Sequence, residues 1–158
     1  MGKARFGVAL AGLAALLSAC SAGTAGPRFA DVAAQLPPLA SDRARFYFYR
    51  DYELYESMAR PYITLNGEVA GISEPGGVSY RDVAPGTYLI AVRNYTLYPD
   101  QNKTVTVKAG ESDYVKVESL KSYASGFESY EFDTFVVVIV DPDQGRRDIA
   151  PMRYFADH

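Results

Sequence analysis

The sequence is poor in the residues that most enzymes use for covalent or acid–base chemistry. Its 158 residues include one cysteine, one histidine and no tryptophan. The single cysteine, Cys20, excludes an internal disulfide, and the single histidine, His158, stands at the last position, where fraying is expected. A serine or cysteine nucleophile needs a base and an orienting group beside it, and no Gly-x-Ser-x-Gly motif is present. We therefore expect a protein that is not an enzyme.

An excess of positive charge is also missing. The chain carries 16 basic and 19 acidic residues, a net charge of −3, and its isoelectric point is about 5.2. Nucleic-acid binding depends on clustered lysine and arginine that neutralise phosphates, so a nucleic-acid partner is not expected. A phosphate-binding loop is not predicted either, because Glu74–Gly77 is followed by neither a lysine nor a helix start. No motif predicts a cofactor.

The first twenty residues have the pattern of an export signal. Lys3 and Arg5 form a short positive region, and Phe6–Leu17 is an uncharged apolar run. Because a membrane-spanning helix needs roughly 18 or more residues, this run predicts a signal peptide rather than a permanent span. The run ends in Leu17-Ser18-Ala19-Cys20, which places the single cysteine at the end of the tetrad.

That tetrad resembles the lipobox of bacterial lipoproteins. The resemblance implies cleavage between Ala19 and Cys20, a diacylglycerol thioether on the Cys20 sulfur, and a fatty acid such as palmitate on the new amino group. Ser21, rather than aspartate, follows the cysteine. By resemblance to the sorting rule of enteric bacteria, this favours the outer membrane, with the domain facing the periplasm. The alternative is an ordinary secretory peptide in which Cys20 is an incidental thiol.

Composition divides the chain into three parts. Residues 1–19 are the predicted cleaved signal peptide, residues 20–42 a lipidated tether with a short helix, and residues 43–158 the folded domain. Two prolines end the helical pattern of the tether. An amphipathic helix docked on the domain is expected there, with a solvated stalk as the alternative. The apolar positions of this helix are Phe29, Val32, Ala33 and Leu36.

From residue 43 onward the hydrophobic pattern has a period of two, with turn residues between the segments. Phe46 and Phe48 alternate with tyrosines in the first segment. Asn66-Gly67 predicts a type I′ hairpin turn, since both central positions of that turn need positive φ. About seven or eight short strands with no helix of useful length among them predict an all-β fold, an antiparallel β-sandwich of Ig-like architecture.

The second half of the domain gives three specific expectations. Val115 and Val117 should face the core and Tyr114 the solvent. Val136–Val140 would promote aggregation if exposed, so we expect it at the centre of a sheet. Asp141–Gly145 begins like a calcium loop but lacks the glutamate that the twelfth position requires. We therefore expect a turn there and no metal site.

Six short motifs follow one another along the chain, in the order Phe29–Val32, Leu36–Leu39, Phe46–Arg50, Thr64–Gly67, Ala84–Tyr88 and Ala109–Glu111. Together they resemble a proteobacterial family of lipoproteins with a domain of unknown function. The fold of that family is similar to PEGA and transthyretin-like sandwiches. The resemblance implies a surface-associated interaction module, and the family offers no catalytic residues to transfer.

The 13 tyrosines are the clearest sign of a binding surface. Tyrosine and arginine are enriched in protein interfaces, and aromatic rings also stack on sugars. Either the rings lie flat as a cover on the sheet, or they form an exposed face that binds a protein or a glycan. The candidate surface comprises Tyr47, Tyr49, Tyr52, Tyr55, Tyr95, Tyr98, Arg50 and Arg93.

The sequence therefore predicts a membrane-anchored envelope lipoprotein without enzymatic activity, whose partner is another envelope protein. A glycan- or peptidoglycan-binding module is the second hypothesis. The third is a glycoside hydrolase that would use paired carboxylates. A solvated surface explains those carboxylates more simply. They are Glu53 with Glu56, and Glu128 with Glu131 and Asp133.

Overall fold

The structure, a computed structural model, describes residues 26–54, 58–93, 100–119 and 134–156. No helix among these residues is long and apolar enough to cross a bilayer. Several residues singled out above lie outside the described ranges, including the whole predicted signal peptide. They are Ala19, Cys20, Tyr55, Glu56, Tyr95, Tyr98, Glu128, Glu131 and Asp133.

Segments rich in aromatic and β-branched residues form nine strands in the part of the chain that the structure describes. Two helices accompany them, α1 at Phe29–Val32, continued by a 3-10 turn at Ala33–Gln35, and α2 at Pro142–Ile149. The strands are β1 Ala44–Arg50, β2 Tyr62–Leu65, β3 Glu68–Ile72, β4 Gly77–Val83, β5 Gly86–Val92, β6 Lys103–Val107, β7 Ser112–Ser119, β8 Phe135–Val140 and β9 Arg153–Tyr154.

The strands form two sheets that pack face to face, which confirms the predicted β-sandwich. The large sheet has the order β8-β7-β1-β4-β9, and the small sheet has the order β3-β2-β5-β6. The described strands pair in antiparallel orientation, with two exceptions. The pairs β1–β7 and β4–β9 are parallel. The large sheet is therefore mixed, whereas the sequence predicted antiparallel pairing throughout.

The turn between β2 and β3 confirms the hairpin that Asn66-Gly67 predicts. Asn66 has a φ of 52° and Gly67 a φ of 88°, the two positive values of a type I′ turn. The Asn66 side chain also accepts a hydrogen bond from the backbone N–H of Leu89 at 2.8 Å. This contact ties the turn to β5, the next strand of the small sheet.

The main core lies between the two sheets. Phe46 and Phe48 of β1 stack at its centre with their ring centroids 6.0 Å apart. Val115 and Val117 of β7 face the same core, as predicted. The remaining side chains of this core come from both sheets, and they include Ala44, Ile63, Leu65, Val83, Ile90, Val92, Val107, Phe135 and Val137.

A second apolar layer covers the opposite face of the large sheet. It combines residues of β1, β4 and β7 with residues of both helices and of the segment around β9. Helix α1 docks there through Phe29, which confirms the predicted docked helix in a shorter form. Tyr114 is only 4% exposed in this layer, so the expectation that it faces solvent is wrong. Its face of the sheet was assigned correctly, but that face is covered.

Helix α2 replaces the turn predicted at Asp141–Gly145. The Asp141 side chain caps the helix by accepting hydrogen bonds from the backbone N–H groups of Asp143 and Gln144 at 2.9 and 3.3 Å. Pro142 suits the first turn of a helix, where no N–H partner is lost. A Cβ atom on Gly145 would lie 2.2 Å from the Tyr114 ring. The glycine therefore serves close packing of the helix on the sheet.

The valine-rich strand β8 lies at the edge of the large sheet, so its predicted central position is wrong. Its first half, Phe135–Val137, is buried, whereas Ile139 is exposed. The backbone N–H of Val137 also donates a hydrogen bond to the carbonyl oxygen of the buried Gln101 at 2.8 Å. The main core, which holds Phe135 and Val137, together with β7 and the segment at Gln101, buries this half of the strand without placing it centrally.

Candidate binding surface on the large sheet

The structure divides the described members of the predicted tyrosine and arginine surface into buried and exposed residues. Tyr49 is 2% exposed and Arg50 is 3% exposed, so neither belongs to a binding surface. Tyr47 is partly buried. Tyr52 is 63% exposed, and Arg93 is also exposed. Among the described residues, the exposed members of the predicted surface are therefore Tyr52 and Arg93.

Tyr49 and Arg50 serve packing on opposite faces of β1. The Tyr49 hydroxyl donates a 2.8 Å hydrogen bond to Oδ2 of Asp148 on α2. Burial, and then the Asp148 carboxylate, raise the pKa of Tyr49 far above its usual range. On the other face, the Arg50 guanidinium lies 4.8 Å from the Phe135 ring centroid and donates to the carbonyl oxygen of Ala59 at 2.7 Å. Both polar groups are thus used inside the fold.

Tyr47 belongs to an aromatic stack beneath the helices. Its ring stacks on Tyr114 with centroids 5.1 Å apart and planes 17° apart. Phe29 of α1 meets the Tyr47 ring edge to face at 5.7 Å. These geometries are the ones aromatic pairs prefer. The stack therefore fastens the N-terminal segment to the sheet and leaves little of Tyr47 for a ligand.

An open groove lies on the outer face of the large sheet, the face that also carries Tyr47. There Tyr80 of β4 and Tyr154 of β9 stack, with their ring centroids 6.3 Å apart and their planes 16° apart. Its volume is about 570 Å³. We call this feature the Tyr80 groove. It is lined by Arg43, Tyr80, Arg81, Asp82, Tyr154 and Ala156.

A buried arginine holds one end of the Tyr80 groove in place. The Arg45 guanidinium lies 4.1 Å from the Tyr80 ring centroid. It also donates hydrogen bonds to both carboxylate oxygens of Asp82, at 2.6 and 2.9 Å, and to the carbonyl oxygen of Pro37 at 2.9 Å. The hydrogen bond to Asp82 outweighs burial and raises the pKa of Arg45. The Tyr80 ring and the Asp82 carboxylate are therefore positioned before any ligand arrives.

A second groove, here called the Tyr52 groove, has a volume of about 480 Å³. Lys116 lies in it and bridges the carboxylates of Asp51 and Glu118 at 2.8 and 2.9 Å. Burial opposes the charge on Lys116, but the hydrogen bonds to the two carboxylates prevail and raise its pKa. The Tyr52 groove is lined by Asp51, Tyr52, Gly76, Lys116, Arg147, Asp148, Pro151 and Met152.

The described carboxylates are mostly engaged in structural contacts. Glu53, a candidate for paired acid–base chemistry, accepts a hydrogen bond from the Ser119 hydroxyl at 2.9 Å. Burial, followed by the nearby Glu111, raises the pKa of Asp113. Within the described ranges, no group of three or more histidine, cysteine, aspartate or glutamate residues is placed to hold a metal ion.

Tyr80 and Tyr154 were missed at the level of sequence. Tyr80 lies directly opposite Tyr47 in the β1–β4 register, so both rings are on one face of the sheet. The alternation of side chains along β4 could have indicated the face on which Tyr80 lies. The pairing of β4 with β1 is long-range, however, so the sequence does not show that Tyr47 shares this face. Tyr154 follows Pro151 near the end of the chain, and no local pattern links it to β4.

The N-terminal and C-terminal segments are joined backbone to backbone at one edge of the large sheet. Phe29 N–H donates to Met152 at 2.8 Å, and Tyr154 N–H donates to Pro27 at 2.8 Å. The pairing of residues 26–30 with residues 150–154 is called the clasp below. A Cβ atom on Gly26 would lie 1.8 Å from the carbonyl oxygen of Tyr154, so only glycine allows this approach.

Comparison with known families gives one match. The family described as "Protein of unknown function (DUF2846)" matches residues 40–129, which is more than half of the chain. The chain belongs to this family. No curated protein and no solved structure matches the DUF2846 chain. The matched range covers β1 to β7, whereas the clasp, α1, α2, β8 and β9 lie outside it. The Tyr80 groove therefore combines residues from within the match with Tyr154 and Ala156 from beyond it.

Proposed function

We propose that this DUF2846 protein is a lipid-anchored lipoprotein of the bacterial envelope that acts by binding rather than by catalysis. In this proposal Cys20 carries the lipid, the β-sandwich is a PEGA- or transthyretin-like module, and an envelope protein is its partner. The lipobox-like tetrad that ends at Cys20 and the motifs shared with proteobacterial lipoproteins support the assignment. The outer membrane, with the domain in the periplasm, is the proposed location.

The clasp is the structural observation that supports this proposal most directly. It fastens the chain to the domain from Gly26 onward, so residues 21–25 alone separate Cys20 from the fold. Six residue steps of extended chain span at most about 20 Å. A lipid on Cys20 would therefore keep the domain close to the membrane surface. Such confinement raises the local concentration of the domain around a membrane partner.

The chemistry of the two grooves also favours a binding role. In the Tyr80 groove, Arg45 occupies both oxygens of Asp82. In the Tyr52 groove, Lys116 contacts Asp51, and Tyr49 donates to Asp148. These carboxylates stabilise neighbouring groups of opposite charge or hydrogen-bond donors, whereas a general acid or base needs its proton available to substrate.

Replacing the lipid acceptor tests the anchor. We expect Cys20→Ser to abolish fatty-acid labelling and to remove the protein from floated membrane vesicles, because serine offers no thiolate for the thioether bond. Ser21→Ala is the matched control, since it leaves the cysteine in place and should still be labelled and float. Mass spectrometry of the mature N terminus identifies the modification. Flotation of Cys20→Ser at the wild-type level would contradict the proposed anchor.

Binding to glycan is a second candidate function, favoured by the Tyr52 groove, whose lining includes Arg147 and the 63% exposed Tyr52. An exposed aromatic ring next to a guanidinium can stack on a sugar and hydrogen-bond its substituents. Sedimentation with purified peptidoglycan sacculi tests it. Retention that Tyr52→Ala reduces, and that Tyr62→Ala on the small sheet leaves unchanged, would favour the glycan. Absence of retention, together with cross-linking of the lipidated protein to an envelope protein, would favour the protein partner.

A further inference from the structure

We infer that the Tyr80 groove is the surface this protein turns toward the bilayer and that it contacts phospholipid headgroups. This inference rests on the proposed lipid at Cys20 and adds an orientation to it. We assign the membrane as the occupant because the clasp adjoins the groove on the fold. The N-terminal chain also leads toward the groove as it approaches the anchor.

The clasp fixes the place from which the anchor leaves the domain. Gly26 is held by a 3.2 Å hydrogen bond from the Arg153 guanidinium to its carbonyl oxygen, and Pro27 accepts from Tyr154. With Cys20 six residue steps away, the Cα atom of Gly26 must lie within about 20 Å of the Cα atom of the lipid-bearing cysteine. The edge of the large sheet that carries Gly26 therefore stays near the headgroups.

The direction of the chain selects the Tyr80 groove over other surfaces at that edge. Arg28 pairs with Arg153 in an antiparallel bridge, while β9 runs parallel to β4. Moving from Arg28 back to Gly26 thus follows the same direction as moving from Arg153 forward to Ala156. Ala156 is part of the Tyr80 groove, so the chain leads toward the groove as it approaches the anchor.

The side chains of the groove match the chemistry of a headgroup layer. The Arg43 guanidinium lies at the groove, where it donates a 2.9 Å hydrogen bond to the backbone carbonyl oxygen of Asp82, and guanidinium groups bind phosphate oxygens through charge-assisted hydrogen bonds. Tyr80 and Tyr154 are amphipathic rings of the kind enriched at membrane–water interfaces. Among the lining residues that the structure describes, Asp82 is the one carboxylate, and Arg45 already occupies both of its oxygens. Repulsion of phosphate by Asp82 is thereby reduced.

The outer face of the small sheet, on the far side of the sandwich, provides a control position for a probe placed at the groove. Thr104 on β6 is exposed on the outer face of the small sheet, and Ala156 is exposed at the groove. Two sheets packed about 10 Å apart, together with their outer side chains, separate these two positions. A probe at Ala156 should therefore lie among headgroups while a probe at Thr104 remains in water.

The experiment uses the full mature lipoprotein reconstituted in vesicles of phosphatidylcholine and phosphatidylglycerol. Because the thioether occupies the Cys20 sulfur, Ala156→Cys or Thr104→Cys supplies a single thiol for a fluorophore. We expect lipid-borne quenchers to quench the probe at 156 several-fold more than the probe at 104. Replacing Arg43 by glutamine should reduce the quenching at 156 and its dependence on salt, with an unchanged circular dichroism spectrum.

The outcomes separate the orientation from the anchor. Equal quenching at both positions, or stronger quenching at 104, in a protein whose Cys20 is lipidated would overturn the orientation and leave the anchor intact. An unmodified Cys20 found by mass spectrometry would overturn the anchor and this inference with it. Stronger quenching at 156 that Arg43→Gln leaves unchanged would refute the contact of Arg43 with headgroups.

Discussion

The two outer faces of this sandwich differ in how far other segments of the chain cover them. Much of the outer face of the large sheet is covered by α1, α2 and the clasp, with the Tyr80 groove left open beside them, and its aromatic rings are packed against one another. The outer face of the small sheet keeps Thr87, Leu89, Thr104 and Thr106 exposed. The covering segments lie outside the range that matches the family, whereas both sheets lie largely within it. The family match therefore spans seven of the nine described strands and none of the segments that cover the large sheet.

Truncating a ring in the covered layer should have the largest effect on stability. Tyr114→Ala removes a side chain that stacks on Tyr47 and supports Gly145 of α2. We expect the free energy of unfolding to fall by about 3–5 kcal/mol, the usual cost of deleting a buried aromatic ring. Urea unfolding followed by circular dichroism measures it. Thr104→Ala on the exposed face is the matched control and should change stability by less than about 0.5 kcal/mol. Similar losses in the two variants would show that the covered layer is not a structural core.

Opening the clasp should have a smaller but more local effect. Gly26→Val forces a side chain against the Tyr154 carbonyl oxygen, which would lie 1.8 Å from the new Cβ atom. We expect a loss of about 1–3 kcal/mol from the steric conflict and the broken backbone hydrogen bonds. Proteolysis between Gly26 and Leu36 should become faster. Ala30→Val, whose side chain is exposed in the same segment, serves as the control. Unchanged proteolysis in Gly26→Val would disprove the role given to this glycine.

Removing one hydroxyl from the covered layer should have the smallest effect at neutral pH and a clear effect in alkali. Tyr49→Phe loses the hydrogen bond to Asp148 and should cost about 0.5–1.5 kcal/mol. Burial raises the pKa of Tyr49 in the folded state, so the folded protein retains this proton where the unfolded chain releases it. That stabilisation is complete below the unfolded pKa of about 10 and is lost as the pH rises above it. Unfolding between pH 9 and pH 11 should therefore show a steeper loss of stability in the wild type than in Tyr49→Phe. Parallel pH profiles for the two proteins would contradict the assignment.

The local features of the fold could be predicted from the sequence because short-range chemistry determines them. Asn66-Gly67 requires positive φ whatever surrounds it, and Val115 and Val117 alternate with polar neighbours. The covered outer face could not be predicted in this way. Tyr49 and Tyr114 were expected outside because strand alternation shows two faces but does not show that distant segments cover the second one.

The same limitation explains the errors at the C-terminal end. Gly145 suggested a turn, yet it is present because a Cβ atom would collide with Tyr114, which lies 31 residues earlier in the sequence. Val136–Val140 suggested a central strand, yet β8 is an edge strand that is buried over half its length. In the candidate surface, Tyr52 and Arg93 remained exposed as expected, and the Tyr80 groove depended on a β4–β9 pairing that no local pattern shows.

The antiparallel geometry of the clasp has a mechanical consequence for a domain tethered at Cys20. A pull directed along the axis of residues 26–28 would load the hydrogen bonds to residues 150–154 together, in shear. Peeling would break them one after another at lower force. Drag from a moving bilayer or a bound partner would thus be transmitted to the edge of the large sheet before the attachment yields.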